Sequence, residues 1–329
     1  MTDLDTPLEL PQLLELRVRQ IRMEATGIHS FELRATDHGL LPPFTAGAHI
    51  DVHLAGGLVR QYSLCNDPAE THRYVIGVLK DPQGRGGSLR VHETLKVGDT
   101  VKVSRPRNQF ELQPAQTSAL LIAGGIGITP LKSMAHSLLQ AGTPFELHYC
   151  ARSSDVAAFT EELEAFNQRA PGSARWHFDN GVAGAGLDLA ALLAVQPAGT
   201  HLYFCGPPGF MKACARAAEH WQPGTVHSEH FQAPERAEPL AAASGATVRL
   251  AQSGRELVLP DGGNLLDLLS QHGVHVPTSC MSGLCGTCKT GYADGEVEHN
   301  DFILGDDEKQ SCLTLCVSRV TSRSITLHL

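Results

Sequence analysis

The 329-residue chain predicts three successive domains. These are a small antiparallel β-barrel, an α/β domain built on a parallel sheet, and a compact α+β domain. Three observations carry the prediction. Short alternating strands fill the first third of the chain. Strand–helix alternation begins at Ser118 and continues for about a hundred residues. After a stretch rich in Ala, Pro, Glu and Ser comes the loop Cys280-Met-Ser-Gly-Leu-Cys285-Gly-Thr-Cys288. The expected boundaries are 1–113, 114–232, a linker over 233–246, and 247–329.

In the first domain, His49-Ile50-Asp51-Val52-His53-Leu54 alternates polar and apolar residues, the pattern of a strand with one wet face. Gly56-Gly57 supplies a hairpin turn into a second strand over 58–64. Further strands are expected over 74–79 and 100–103, with Gly98-Asp99 as a turn. Several short strands at this spacing close into a barrel.

In the second domain, 119–123 reads as a buried strand, followed by a glycine-rich turn and a helix over 129–140. Strands follow over 145–151, 174–178 and 201–205. Ser153 or Ser154 is placed to cap a helix over 156–169, and a last helix is expected over 210–221. Repeated βα units imply a parallel sheet covered on both faces. The segment 233–246 has the composition of a linker. Beyond it, strands over 247–250 and 256–259 and a helix over 267–272 lead into the cysteine loop.

That loop has the C-x4-C-x2-C spacing of a plant-type [2Fe–2S] cluster, with Cys316 as the distant fourth ligand. Thiolates are soft, anionic donors suited to iron–sulfur chemistry. Gly283 and Gly286 let the loop wrap tightly and point N–H groups at the cluster sulfurs. The competing assignment is a four-cysteine zinc site, which favours paired C-x2-C units; this loop has one x4 gap and no second pair. Cys312 competes with Cys316 for the fourth position, and the spacing favours Cys316, leaving Cys312 as a buried small residue. A [2Fe–2S] centre carries one electron at a time.

Two glycine loops bound a candidate dinucleotide crevice. Gly124-Gly125-Ile126-Gly127-Ile128-Thr129-Pro130 joins a strand to a helix, where a pyrophosphate can approach the helix N-terminus. Alone it is equally a tight turn. Cys205-Gly206-Pro207-Pro208-Gly209 ends a later strand at the same edge. In the barrel, Arg60 of Arg60-Gln61-Tyr62-Ser63 can bind a phosphate bidentately, and Tyr62 can lie against a flavin ring. Gly86, Gly87 and Ser88 can supply phosphate donors. Taken singly, each of these is also a solvated strand residue, a surface aromatic or a plain loop.

A net charge of −9 argues against nucleic acid or an anionic membrane as partner. The acidic start, Met1-Thr2-Asp3-Leu4-Asp5, lacks an apolar signal core. The longest apolar stretch, 118–131, is interrupted by glycines and too short to span a bilayer. Nine cysteines, four of them assigned to a cluster, read as thiols of a reducing compartment. A cytoplasmic monomer is expected.

The ordered set Arg60-x-Tyr62-Ser63, Gly86-Gly87-Ser88, Gly124-Gly-Ile-Gly-Ile-Thr-Pro130, Cys205-Gly-Pro207 and the cysteine loop resembles the phthalate dioxygenase reductase family, which includes vanillate O-demethylase reductases. The resemblance covers essentially the whole chain. It implies an FMN barrel, an NAD(H) domain and a C-terminal plant-type ferredoxin domain of the β-grasp kind. Carried over, Arg60, Tyr62, Ser63, Leu79, Lys80, Gly86, Gly87, Ser88, Thr129 and Phe231 fall to FMN. Gly124, Gly125, Gly127, Thr129, Pro130, Arg152, Asp155, Cys205, Gly206 and Pro207 fall to NAD. Cys280, Cys285, Cys288 and Cys316 fall to the cluster. Phe231 matches the aromatic that approaches the flavin, its alternative being a strand-end core residue.

The implied activity is NADH oxidation with electrons passed singly onward. A hydride carries two electrons and the cluster accepts one, so a flavin is the converter, and the hard chemistry is the cofactors' own. No catalytic acid or base is assigned. Arg152 and Asp155 bear on NADH against NADPH, an acidic residue favouring a free ribose hydroxyl; the resemblance favours NADH, and FMN over FAD. A cluster potential near about −400 mV suits a more oxidising acceptor. By resemblance, that acceptor is a separate, transiently docked Rieske-type oxygenase. A cytochrome P450 or other hydroxylase as acceptor, and an iron–sulfur redox sensor, are the alternatives.

Overall fold

The structure, a computed structural model, describes residues 13–182, 184–232 and 245–329. They fall into two compact units, with the described part of 12–231 in one and of 232–329 in the other. The expected linker lies, over 233–244, outside the described residues.

The first unit begins with six antiparallel strands: β1 (Leu14–Ala25), β2 (Ile28–Ala35), β3 (His49–Leu54), β4 (Leu58–Ser63), β5 (Tyr74–Leu79) and, after helix α1 (Gly87–Thr94), β6 (Thr100–Val103). Their order is β4-β3-β6-β1-β2-β5. The bridge Leu64–Ile76 joins the two edges and closes the barrel. Leu16, Val18, Phe31, Leu33, Ile50, Val52, Ile76 and Val103 fill its interior.

The alternating strand at 49–54 departs from expectation in one respect. Both faces of β3 are covered, with His49 5% and Asp51 4% exposed. The polar face is shielded by Arg107, which bonds Asp51 Oδ2 at 2.7 Å, and by Ser104, whose hydroxyl accepts from the Asp51 N–H. Alternation signalled two different faces, and the second is a polar interior rather than a wet surface.

A five-stranded parallel sheet follows: β7 (Ser118–Gly124), β8 (Phe145–Ala151), β9 (Ala174–Phe178), β10 (Thr200–Cys205) and β11 (Val226–Glu229), in the order β11-β10-β7-β8-β9. Four helices accompany it: α2 (Ile128–Ala141), α3 (Thr160–Arg169), α4 (Leu189–Leu193) and α5 (Pro208–Ala217). Residues of β7 alternate between two cores. Ala119, Leu121 and Ala123 pack with α2 and α3, while Leu120 and Ile122 pack with α4 and α5. A strand buried on both faces in this way reads as one apolar run.

The helix expected over 156–169 starts later. Residues Ser154–Val156 form one 3-10 turn, and α3 begins at Thr160 behind Phe159, whose backbone is left-handed at φ 60°. Neither serine caps it: the Ser153 hydroxyl bonds Asp155 Oδ1 at 2.5 Å. Phe159 takes the strained turn because its ring is buried against Lys132, whose ammonium lies 4.5 Å from the ring centroid and pairs with Glu162.

The second unit holds β12 (Thr247–Leu250), β13 (Glu256–Val258), α6 (Leu265–Gln271), β14 (Lys289–Ala293), β15 (Val297–Glu298), α7 (Asp306–Lys309), β16 (Cys312–Thr314), β17 (Arg319–Val320) and β18 (Ser324–Leu327). The main sheet runs β13-β12-β18-β14-β16, with β12 and β18 parallel. Helix α6 lays Leu265, Leu266, Leu268 and Leu269 on that sheet, capped at its start by the Asn264 side chain. This mixed sheet gripping one helix is the β-grasp arrangement.

Candidate functional site

In the parallel sheet the strand order reverses between β7 and β10, so the crevice of the switch point opens at the C-terminal ends of those two strands. Both glycine loops end there. β7 runs into one 3-10 turn, Gly125–Gly127, and then α2; β10 ends at Cys205, and Pro207 precedes α5. The loops touch. A Cβ at Gly127 would lie 2.2 Å from the Cys205 carbonyl oxygen, and one at Gly206 would lie 3.1 Å from Gly124 Cα and 2.6 Å from Phe210. Glycine is required here by close approach of two backbones, which a tight turn alone does not explain.

Thr129 and Pro130 occupy the first turn of α2 and are buried. The Thr129 hydroxyl donates to the Ile126 carbonyl at 3.0 Å, and its methyl faces Gly77 of β5, where an added Cβ would come within 2.7 Å. Thr129 therefore docks the helix on the barrel. Arg152 is exposed beyond the end of β8. The Asp155 carbonyl accepts from Thr26 of the barrel, so this residue also ties the two halves of the unit together.

On the barrel, Arg60 lies across Gly87, where a Cβ would sit 2.4 Å from its Cγ. Its Nη2 donates to the Arg85 carbonyl at 2.7 Å and its Nη1 to the Val59 carbonyl at 2.8 Å. Gly86, left-handed at φ 77°, is the N-cap of α1, and no side chain caps that helix. A guanidinium, a glycine-lined approach and the first amides of a helix thus lie side by side, an arrangement that fits a flavin phosphate. Sequence reasoning read Gly86, Gly87 and Ser88 as a phosphate-binding loop; α1 was hidden because it starts on Gly87, inside that glycine run. The Ser88 hydroxyl accepts from Asp81 N at 3.0 Å and so shapes this loop.

Tyr62 is largely covered, and burial pushes its hydroxyl up to about 12. Leu79 is 38% exposed at the end of β5, and Lys80 continues the segment, its N–H bonded to the Gly27 carbonyl. Phe231 is 36% exposed, just beyond β11, so it is not a core residue.

Four side chains meet between β3, β4, β10 and β11. Ser63 Oγ donates to Glu229 Oε2 at 3.1 Å, and His49 Nδ1 lies 4.0 Å from Glu229 Oε1. Burial raises the Glu229 carboxyl to about 7, against the Ser63 hydrogen bond. Burial, and then Glu229, push the Cys205 thiol well above its ordinary value, which favours the protonated thiol. Sequence reasoning missed Glu229 and His49. The one available signal for Glu229 was its place at the carboxyl end of a strand of the parallel sheet.

In the second unit the four cluster cysteines are all buried and form two hydrogen-bonded pairs, Cys280 with Cys285 and Cys288 with Cys316. The bond from Cys280 lowers the Cys285 thiol, and that from Cys316 lowers Cys288. The N–H groups of Ser282 and Leu284 donate to Cys280 Sγ at 3.4 and 3.3 Å. Gly283, left-handed at φ 72°, packs against the next segment, where a Cβ would lie 2.9 Å from Asp301 Cα. Two pairs of buried cysteines beside inward N–H groups fit an iron pair with two ligands per iron, each cysteine binding as the thiolate. Cys312 is half-buried in β16 and takes no part in either pair.

Comparison with known proteins agrees with this geometry. Residues 248–321 match the model of the 2Fe-2S iron-sulfur cluster binding domain, and residues 121–216 that of the oxidoreductase NAD-binding domain. The first of these overturns the zinc alternative. The chain is 47% identical to the tert-butanol monooxygenase / tert-amyl alcohol desaturase reductase subunit of Aquincola tertiaricarbonis, over 96% of both chains. It is 46% identical to the vanillate O-demethylase oxidoreductase of Pseudomonas sp. (strain HR199 / DSM 7063), over 96% of this chain and all of that one. Among solved structures, phthalate dioxygenase reductase, described as a modular structure for electron transfer from pyridine nucleotides to [2Fe–2S], is similar with a TM-score of 0.73 and 40% identity, covering 96% of this chain and 98% of that one. An intact type IV self-sufficient cytochrome P450 monooxygenase is similar with a TM-score of 0.85 and 34% identity, covering 98% of this chain but 43% of that one. The chain belongs to the phthalate dioxygenase reductase family and is an NADH-dependent iron–sulfur flavoprotein oxidoreductase, with FMN, NADH and a [2Fe–2S] cluster as its cofactors.

Proposed function

We propose that this chain is the reductase component of a two-component Rieske non-haem iron oxygenase, of the aromatic-ring dioxygenase or O-demethylase type. The observation that carries this reading is the end-to-end match with separate reductase chains named for vanillate O-demethylation and phthalate dioxygenation. The flavin supplies the conversion of one hydride into two single electrons. The chain's own residues bind and orient. Arg60, Gly86, Gly87 and Ser88 hold the FMN phosphate end, and Tyr62, Ser63, Leu79, Lys80, Thr129 and Phe231 line its ring. Gly124, Gly125, Gly127, Thr129, Pro130, Gly206 and Pro207 receive the nucleotide, with Cys205 beside the nicotinamide and Arg152 and Asp155 toward the ribose. Cys280, Cys285, Cys288 and Cys316 would hold the iron pair, which would supply one-electron transfer to the oxygenase partner.

The division into an FMN domain over 1–113, an NAD domain over 114–232 and a ferredoxin domain over 247–329 belongs to the same proposal, as do a cytoplasmic location, a monomeric state and no binding to nucleic acid or membrane. Among the described residues no helix is long and apolar enough to cross a membrane.

A second reading, delivery to a cytochrome P450, rests on the higher structural similarity to the self-sufficient P450. Reconstitution separates the two. The purified reductase is mixed with NADH and either a Rieske oxygenase or a P450 from the same source, and product is measured. The proposal expects turnover with the Rieske partner at least about tenfold faster; the reverse order would replace it with the second reading.

A further inference from the structure

The Asp301 side chain is 0% exposed, yet only half of its carboxyl is satisfied. Oδ1 accepts from the N–H groups of Ile303 and Leu304, at 3.2 and 2.8 Å. Oδ2 is buried and has no hydrogen-bond partner among the described residues. His299 Nδ1 lies 3.7 Å from it, beyond hydrogen-bond reach, and among the described residues no Lys or Arg pairs with Asp301. A carboxylate is an acceptor at both oxygens, and burying one half-paired is costly. A cost of that kind is tolerated where it serves function.

The place of Asp301 in the fold supplies the function. It follows β15 and lies against the turn at Gly283, between Cys280 and Cys285 in the cysteine loop. A Cβ at Gly283 would come within 2.9 Å of Asp301 Cα and 3.2 Å of the Asn300 carbonyl oxygen. The Gly283 carbonyl accepts from the Phe302 N–H at 3.0 Å, while the Gly283 N–H bonds Cys316. One residue thus separates the Asp301 segment from a cluster cysteine.

We propose that the buried Asp301 carboxylate sets the potential of the [2Fe–2S] cluster, its fixed negative charge opposing the electron that the cluster takes up. This rests on the reading that the four cysteines hold the cluster. Reduction adds one negative charge to a centre already held by thiolates, and net charge is one of the quantities that set such potentials. A charge buried in protein is screened far less than one in water. The other acids of the segment are wetter or closer to a cation. Asp306 lies 3.8 Å from Lys309, and Glu308 pairs with Lys289, both at the surface. Glu298 Oε2 also lacks a hydrogen-bond partner, but Glu298 is half-buried and stands opposite Arg319 in the β15–β17 register. Asp301 therefore holds the potential low, which makes the reduced cluster a stronger donor to whichever acceptor follows. It acts through its field and forms no bond in the reaction.

An EPR-monitored redox titration of the full-length holoprotein at neutral pH tests this, with the chain unaltered and as Asp301→Asn. Asparagine keeps an oxygen acceptor for the Ile303 and Leu304 N–H groups and removes the charge. Asp301→Asn is expected to shift the cluster's equilibrium toward the reduced form at least about tenfold, a rise of about 59 mV. Iron, acid-labile sulfide and EPR line shape should stay as in the unaltered protein. Asp301→Ser, which also retains an oxygen acceptor, is expected to act in the same direction and serves should Asp301→Asn fold poorly. Asp307→Asn removes an exposed charge of the same segment and is expected to shift the equilibrium less than about twofold. A midpoint left unchanged or lowered by the Asp301 variants, or raised as far by Asp307→Asn, overturns the proposal. Loss of the cluster from both Asp301 variants also overturns it, since that marks a structural role. An unaltered protein without the reduced [2Fe–2S] signal would instead overturn the cysteine reading, and this inference with it.

Discussion

Cys312 and Cys316 lie four residues apart, and only one of them has a cysteine partner. Cys316 bonds Cys288, and Asn264 holds the Cys316 carbonyl at 2.9 Å, so the ligand is fixed from two sides. The Cys312 sulfur lies 3.9 Å from the Ser311 hydroxyl, and its backbone pairs with Gly291 in the sheet. Cys316→Ser is accordingly expected to abolish the visible cluster spectrum, whereas Cys312→Ser retains it with the same iron and acid-labile sulfide content. The cysteine spacing already favoured Cys316 as the fourth ligand, because ligand geometry is written largely in the local sequence.

The closeness of Glu229 and His49 was not legible, because it comes from strands some 180 residues apart in the chain meeting in space. Their opposed shifts give a second prediction. Glu229 binds its proton more tightly folded than unfolded, so between about 4.5 and about 7 the folded state holds the extra proton and stability falls as pH rises. His49 binds its proton less tightly folded, so between about 6.5 and about 4 stability falls as pH drops. In the unaltered protein the two slopes oppose each other. Glu229→Gln leaves only the histidine slope. Thermal unfolding across pH is expected to show the variant losing stability on acidification below about pH 6.5, and exceeding the unaltered protein by about 2–3 kcal/mol above pH 7.

At the scale of elements, the two glycine loops meet as backbone against backbone. Gly127 has ordinary helical φ of −61°, so an alanine there is not strained in itself. Its Cβ instead collides with the Cys205 carbonyl at 2.2 Å and must drive the ends of β7 and β10 apart. Overpacking of this kind costs about 1–3 kcal/mol. Gly127→Ala is expected to raise the KM for NADH by at least about tenfold while flavin and iron contents stay at one and two per chain. Unchanged KM would show that the crevice between these loops does not receive the nucleotide.

Strand positions were read well from the sequence at this scale: β3, β5, β6, β8, β9 and β12 begin and end where alternation or an apolar run begins and ends. Among the helices, α4 and α7 were not anticipated and α5 ends at Ala217 rather than at 221, while α1 and α3 were misread for reasons the structure shows. α1 starts directly on its glycines, so the phosphate-loop signal masked a helix start. α3 starts at Thr160 because tertiary packing of Phe159 prevails over the local capping preference of the serines.

For the whole molecule, the two compact units divide the labour that the chemistry requires. The described part of 12–231 brings a barrel and a parallel sheet together in one body, so Ser63, proposed for the flavin, and Cys205, proposed for the nucleotide, both lie against the buried Glu229 carboxyl. Residues 232–329 hold the four cysteines around one loop. The three textures along the sequence correspond to the barrel, the parallel sheet and the mixed sheet, each with its own periodicity, but the first two pack into one compact unit. The packing of barrel on sheet, through Thr129 on Gly77 and Thr26 on Asp155, left no such trace.

The relay from nicotinamide through flavin to iron–sulfur centre is tested most directly by anaerobic NADH titration of the holoprotein with optical and EPR detection on the same sample. The yellow absorption is expected to bleach, and an EPR signal of reduced [2Fe–2S] to appear at about one spin per chain. Cys316→Ser should bleach without any such signal. A cluster that stays oxidised while the flavin of the unaltered chain bleaches, or one that NADH reduces equally fast after the flavin is removed, would contradict the account.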